Sequence, residues 1–247
     1  MKLEIIGFNI ESCIAAQQAG AHRIELCDNP SEGGTTPSYG FIKAAREKLS
    51  IELFVMIRPR GGDFLYSDDE FEIMKADIKI CKELGCDGIV IGLLNKDGSI
   101  DKKRCQELVV LAYPLGVTFH RAFDRTNDPL KALEDIIEIG CERILTSGLQ
   151  PKAADGTHII KELIAHADDR IILMPGSGVT SENIISLAEN TGAVEFHSSA
   201  SMDAESKMNY ENAAMNEKMK HIIADGEQVK KMAVLLETFT KSHDISK

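Results

Sequence analysis

Tryptophan is absent from the sequence, and aromatic residues make up only 5% of its 247 positions. No apolar run approaches the ~18 residues that a membrane-spanning helix needs. The N-terminal stretch MKLEIIGFNI lacks the long apolar segment of a secretory leader. The formal net charge of −11 leaves no basic face for nucleic acid or an anionic membrane. These absences predict a cytoplasmic protein without nucleic-acid or membrane partners.

The six cysteines include no pair with the Cys-x2-Cys spacing, which argues against a structural zinc site. In a chain without a leader we expect them to be reduced. Cys86 and Cys141 fall at helix–strand junctions, and Cys13, Cys81 and Cys105 lie in predicted helices. A free cysteine at such a position commonly serves as a small buried hydrophobe, so these five predict no metal site.

Eight short, β-branched-rich runs alternate with helical patterns along the chain. The junctions AGAHRIEL, LGCDGIVI, IGCERILT and TGAVEFHS share one plan, in which a glycine closes a helix shortly before a strand. This alternation predicts an α/β fold, a (β/α)8 TIM barrel forming a single domain over residues 1–247. A doubly wound sheet is the alternative, but the Gly-rich phosphate loop after its first strand is missing.

The polar segment 201–225 is expected to form a long loop before the last helix. Within it, Met202, Met208, Met215 and Met219 are spaced for the apolar side of a short helix.

The predicted strands separate aliphatic from ionisable side chains, because successive residues of a strand point to opposite faces. In RIELC, residues 24 and 26 are aliphatic while residues 23, 25 and 27 are Arg, Glu and Cys. ELFVMIR, GVTFH and AVEFH repeat this division. Since the aliphatic face must meet the helices, the ionisable face points into the barrel. Arg23 and Glu195 begin their strands and belong at the lower end, whereas Glu25, Arg58 and His120 belong at the upper mouth, where active sites of such barrels lie.

Two loops at this mouth are suited to an anion. RPRGGDFLYS places Arg58 and Arg60 beside two glycines, and arginine binds carboxylate or phosphate through a planar fork. PGSGVTSENI, with Gly176, Ser177 and Gly178, precedes a helix expected to start at residue 180 or 181. Free amides at such a start can hold an anion, and His197 and Ser198 end the next strand.

The motifs RIELC, GGTTPSYG, VMIRPRGGDFLY, DGIVIGLL, TFHRAFD, ILTSG, MPGSGV and EFHSSA together resemble the CutC family, which is described as a family of copper homeostasis proteins. The resemblance covers nearly the whole chain. It implies a cytoplasmic TIM barrel, a homo-oligomer and a role tied to copper. The positions shared with the family lie at the predicted mouth: Glu25, Cys27, Arg58, Arg60, Asp63, His120, Arg121, Asp124 and His197.

Three functions remain open at this point. In the first, copper homeostasis, Cys27 would bind Cu(I) together with His120 or His197, because thiolate and imidazole accept copper. In the second, an enzyme acts on a small anionic or phosphorylated metabolite held by Arg58 and Arg60. There, His120 is the general acid or base, and Glu25, Asp63 or Asp124 orients it or supplies the second acid–base group. A non-catalytic scaffold is the third.

Overall fold

Eight parallel strands curl into a nearly closed barrel in the computed structural model, which describes residues 1–216 and 219–244. The first seven strands pair in sequence order and the eighth pairs with the first, in the order β7-β6-β5-β4-β3-β2-β1-β8. The barrel strands are β1 (Lys2–Gly7), β2 (Arg23–Leu26), β3 (Glu52–Met56), β4 (Gly88–Ile91), β5 (Gly116–Phe119), β6 (Arg143–Thr146), β7 (Ile172–Pro175) and β8 (Glu195–Ser198). The predicted TIM-barrel fold and its single domain are confirmed.

The helices form a ring outside the barrel, and several carry terminal signals that explain where they begin. Ser67 caps one helix in a capping box with Glu70, and Asp128 precedes Pro129 at the start of another. The helices are α1 (Ile10–Gln18), α2 (Tyr39–Lys48), α3 (Asp68–Glu83), α4 (Lys102–Ala112), α5 (Pro129–Ile139), α6 (Thr157–Ala167), α7 (Ile184–Thr191) and α8 (Gly226–Asp244).

Apolar side chains form two separate layers. The large outer layer lies between strands and helices and includes Cys13, Cys81, Cys86, Cys105 and Cys141, all of them buried. This agrees with their predicted role as small hydrophobes. The smaller cluster lies inside the barrel and consists of Ile6, Cys27, Phe54, Met56 and Val90, with Phe8 packed against it. Among the described helices, none is long and apolar enough to cross a membrane.

The segment 201–225 differs from the predicted loop. It contains a two-stranded antiparallel ribbon of β9 (Ser201–Ala204) and β10 (His221–Ala224), which pairs over four residues on each side. The predicted methionine-lined helix is wrong: Met202 lies in β9, Met208 and Met219 lie outside any helix, and Met215 ends a three-residue 3-10 helix with its side chain exposed. The backbone pairing of the ribbon, which helical spacing does not reveal, decides the structure here.

Candidate functional site

The lower end of the barrel interior is filled by a closed ionic network. The fully buried Arg23 pairs with Glu4 through Nε and donates from Nη2 to Glu195 Oε2 at 2.6 Å. Arg143 Nε also donates to Glu195 Oε2, at 3.1 Å. Both guanidinium carbons lie 5.0 Å from the ring centroid of Phe54, which adds two cation–π contacts. Although burial alone would raise it, the charge of Arg23 lowers the pKa of Glu4 to about 2.

The upper end opens into a cavity of about 1100 Å³. Its walls come from the loops after the strands, as the sequence predicted. The structure brings together eight predicted residues in the cavity wall: Glu25, Arg58, Asp63, His120, Arg121, Ser177, Gly178 and His197. The remaining five predicted residues do not line it: Cys27, Arg60, Asp124, Gly176 and Ser198.

Arg58 is a buried cation at the wall of this cavity, with 5% of its surface exposed. Its Nη atoms donate to the carbonyls of Glu32 at 2.6 Å, Gly34 at 2.8 Å and Gly62 at 3.0 Å. No carboxylate of the described residues forms an ion pair with it, and its Nε–H has no partner among them. A buried charge without a counter-ion is costly, so this guanidinium is suited to an anionic ligand.

His120 has one occupied and one free ring nitrogen. Nδ1 accepts a hydrogen bond from the Ala122 amide at 3.1 Å, and Nε2 is buried without a partner among described residues. Burial, followed by the charge of Arg58, lowers the pKa of His120 to about 3. Because Nδ1 uses its lone pair as acceptor, the neutral ring carries its proton on Nε2. In this tautomer His120 Nε2 is a hydrogen-bond donor, and a role as general acid or base stays a prediction.

Phe64 and Gly92 hold the imidazole of His120 in place. The Phe64 ring centroid lies 5.0 Å from that of His120 and 5.0 Å from Arg58 Cζ. A Cβ on Gly92 would come within 2.3 Å of His120 Cε1, so glycine at this position makes room for the ring.

A second group of side chains connects the mouth to the lower network. His197 Nδ1 lies 2.7 Å from Glu4 Oε1, and its Nε2 lies 3.9 Å from Glu25 Oε2. Cys27 Sγ donates to Glu25 Oε2 at 3.6 Å, while Glu25 Oε1 is buried without a partner in the described chain. Ligand atoms of Glu4, Glu25 and His197 lie within 4.8 Å of one another, a spacing that can hold a metal ion.

The electrostatics of this group follow from its burial and its mixed charges. Desolvation raises the pKa of Glu25 to about 7, and burial followed by the nearby Glu25 raises that of Cys27 well above its usual value. Burial opposes protonation of His197, yet the carboxylates of Glu25 and Glu4 raise its pKa overall.

Two predicted residues instead brace loops around the cavity. Arg60 binds Asp63 at 2.9 Å and Glu70 at 2.6 Å and donates to backbone carbonyls of its own loop. Asp124 accepts from Thr146 Oγ1 at 2.6 Å and from several groups of the loop after β6. The polar atoms of Arg60 and Asp124 are thus bonded to other groups of the protein, and neither residue lines the cavity.

The loop after β7 approaches the cavity with backbone groups. Ser177 and Gly178 have φ values of 76° and 72°, and neither amide donates to a described residue. Helix α7 begins only at Ile184, after Asn183, and not near Thr180 as the sequence suggested. Asn183 Oδ1 instead accepts from the Thr180 amide at 2.9 Å and stabilises an intervening turn. The free amides therefore belong to a loop before the helix. Ser198 faces away and donates to the Val179 carbonyl.

Sequence reasoning missed four residues of the site. Glu4 could have been found, because it alternates with Leu3 and Ile5 on β1 in the same way as the ionisable residues of the other strands. The other three, Phe64, Lys96 and Arg125, line the cavity itself. They lie on loops, where alternation gives no signal for the direction of a side chain.

Comparison with known proteins agrees with the motifs. Residues 1–202 match the sequence profile of the CutC family. A copper homeostasis protein cutC homolog of Homo sapiens is 49% identical over 213 residues, covering 86% of this chain and 78% of that protein. A family protein CutC of Chromobacterium violaceum is 51% identical over 208 residues, covering 84% of each chain. The solved structure of CutC from Streptococcus agalactiae shares 37% identity with a TM-score of 0.77, over 81% of this chain and 98% of that one. The chain therefore belongs to the CutC family.

Proposed function

We propose that the protein acts in copper homeostasis and that copper is its cargo. The human relative carries the name copper homeostasis protein cutC homolog. Cys27, Glu25 and His197 would bind the ion. The observation that carries this proposal is the orientation of His197: Glu4 holds Nδ1, and Nε2 turns toward Glu25. A carboxylate that holds a histidine from behind is the usual outer arrangement of a metal site.

The donor types fit copper. Thiolate and imidazole are ligands that copper accepts. Cys27 Sγ lies 3.6 Å from Glu25 Oε2, and the unpartnered Glu25 Oε1 is a further donor. Because the pKa of Cys27 is raised, binding must displace the thiol proton. We therefore expect the affinity for copper to fall as the pH falls.

Competition between the protein and a chromophoric Cu(I) chelator under anaerobic conditions tests this function. Cys27→Ser should weaken Cu(I) binding by more than tenfold, and Glu4→Gln by about tenfold, since it removes only the group behind His197. Cys105→Ser is the matched control, because Cys105 is equally buried but lies in the outer layer. Unchanged affinity and stoichiometry in Cys27→Ser would rule out this site.

A second candidate function, binding of a small anionic or phosphorylated metabolite by an enzyme of the TIM-barrel type, is favoured by Arg58. Its buried charge has no carboxylate partner in the described chain. Lys96, Arg121 and Arg125 add positive charge to the same cavity, although the whole chain carries a net charge of −11. The free amides of Ser177 and Gly178 add donors of the kind that bind phosphate.

Titration of 15N-labelled protein with inorganic phosphate tests the second candidate. The amide signals of residues 177 and 178 and the Arg58 Nε signal should shift together and saturate. Arg58→Met should weaken binding by about tenfold or more, because a charge-assisted hydrogen bond is lost. Arg170→Met is the control, since Arg170 pairs with Glu134 on the surface. Shifts that occur only elsewhere would contradict the candidate.

Two properties implied by the family remain proposals: a cytoplasmic location and a homo-oligomeric state. Light scattering coupled to size exclusion measures the second directly, and a monomer at all concentrations would contradict it.

A further inference from the structure

Three of the four buried side-chain polar atoms without a partner among described residues belong to the cavity wall: Glu25 Oε1, Arg58 Nε and His120 Nε2. Buried polar groups in folded proteins are almost always hydrogen-bonded. Several unpartnered polar atoms at one cavity therefore indicate which hydrogen-bonding groups a ligand of that cavity must carry.

Arg58 Nε and His120 Nε2 both lack a hydrogen-bond acceptor among the described residues. Arg58 Nε–H and His120 Nε2–H can only donate, because a guanidinium has no acceptor and His120 Nδ1 already accepts from Ala122. Both side chains are more than nine-tenths buried, and both lie about 5.0 Å from the centroid of one ring, Phe64. A ligand must therefore present acceptor oxygens to both of these donors.

Resting on the anion site proposed above, we propose that the deep end of the cavity binds a carboxylate with an oxygen on the adjacent carbon, that is, a 2-oxo acid. The carboxylate lies against Arg58, and the 2-oxo oxygen accepts the hydrogen bond from His120. A simple carboxylate whose two oxygens are both held by the Arg58 guanidinium leaves the imidazole donor unsatisfied, which is costly in a buried site. A 2-amino acid carries an ammonium group in place of the 2-oxo oxygen, and an ammonium group cannot accept the hydrogen bond from His120.

His120 also has a chemical effect on such a ligand. A neutral imidazole that donates to a carbonyl oxygen polarises the C=O bond and stabilises negative charge on that oxygen. Gly92 and Phe64 fix the ring, and Ala122 fixes its tautomer, so the donor is in place before the ligand arrives.

Calorimetric titrations with pyruvate, propionate and L-alanine test the inference, because the three differ only at the second carbon. The wild-type protein should bind pyruvate about tenfold more tightly than propionate, and L-alanine no better than propionate. His120→Leu should remove the preference for pyruvate, whereas His120→Gln, which keeps an N–H donor, should retain part of it. Equal affinity for pyruvate and propionate in the wild type would overturn the 2-oxo acid site.

A spectroscopic measurement needs no variant. Isotope-edited infrared spectra of bound [2-13C]pyruvate should show the ketone stretch at lower frequency than in water, and an unshifted band would overturn the inference. If pyruvate and propionate bind equally and Arg58→Met weakens the binding of both, the anion site stands and only the 2-oxo assignment fails. If neither binds and phosphate leaves the mouth unperturbed, the anion site fails as well.

Discussion

The two ends of the barrel interior use the same residue types in opposite ways. At the lower end, Arg23 donates to Glu4, Glu195 and Glu52, and its charge is matched within the protein. At the upper end, the Nη atoms of Arg58 donate to backbone carbonyls, and its Nε–H has no hydrogen-bond partner among the described residues. Both guanidiniums are buried and both lie near an aromatic ring. The lower end is thus a structural network, and the upper end is an incomplete one that a ligand can complete.

His197 and Glu4 lie where the two ends meet. Glu4 gives one oxygen to Arg23 below and the other to His197 above. The orientation of a ring in the mouth therefore depends on the closed network beneath it, which explains why buried charges there serve the site as well as the fold.

The largest expected effect comes from breaking the lower network. Arg23→Met leaves Glu4 and Glu195 buried with less compensation, and we expect a loss of about 3–5 kcal/mol in the free energy of unfolding. Urea denaturation measures it. Arg46→Met serves as the control, because Arg46 pairs with the half-exposed Asp87, and such a pair contributes only about 0–1 kcal/mol. A cost below that of the control would show that the lower end is not a closed network.

An intermediate effect on the free energy of unfolding is expected from His120, at the upper end, as the pH is lowered. His120 has a pKa of about 3 in the fold and 6.5 as a free side chain. Between these values the unfolded chain binds a proton that the native protein does not, so native stability falls as the pH drops below 6.5. At pH 5 the loss due to His120 should be about 2 kcal/mol.

His120→Gln tests this pH dependence, because glutamine does not titrate. The difference in unfolding free energy between wild type and variant should shift in favour of the variant by that amount from pH 7 to pH 5. The other titrating groups are common to both proteins. A difference independent of pH would mean that His120 is not held neutral by its burial.

The smallest effect is expected from Arg60, whose ion pairs stabilise a loop beside the cavity. Arg60→Met removes the contacts with Asp63 and Glu70, which are partly exposed, so stability should change by less than about 1 kcal/mol. Phosphate affinity should fall by less than about threefold, because Arg60 holds the loop of Phe64 and does not line the cavity. A loss as large as that of Arg58→Met would show that Arg60 contacts the anion directly.

The eight alternating strand and helix patterns were sufficient to predict the fold. Alternation within the strands predicted the inward direction of Glu25, Arg58, His120 and His197, because period two fixes which face a residue occupies. It was not sufficient to tell partnered from unpartnered groups. Arg58 and Arg60 are two residues apart and look equivalent in sequence, yet one lines the cavity and the other binds Asp63 and Glu70. That difference depends on the path of a loop.

The role of His120 also lay beyond the sequence. An amide two residues later occupies Nδ1, and this local hydrogen bond, which the residue type alone does not reveal, makes Nε2 the donor of the ring. The ribbon of β9 and β10 escaped prediction for a related reason, since its partners are 17 or more residues apart in the chain. Register between distant segments leaves no periodic signal in either of them.

A crystal structure of the protein soaked in phosphate tests most directly whether the upper end is completed by a ligand. We predict density for an anion in contact with Arg58 Nε or with the amides of Ser177 and Gly178, while the side chains around Arg23 stay unchanged. A mouth that contains only water at saturating phosphate, with Arg58 Nε still unpaired, would contradict the account.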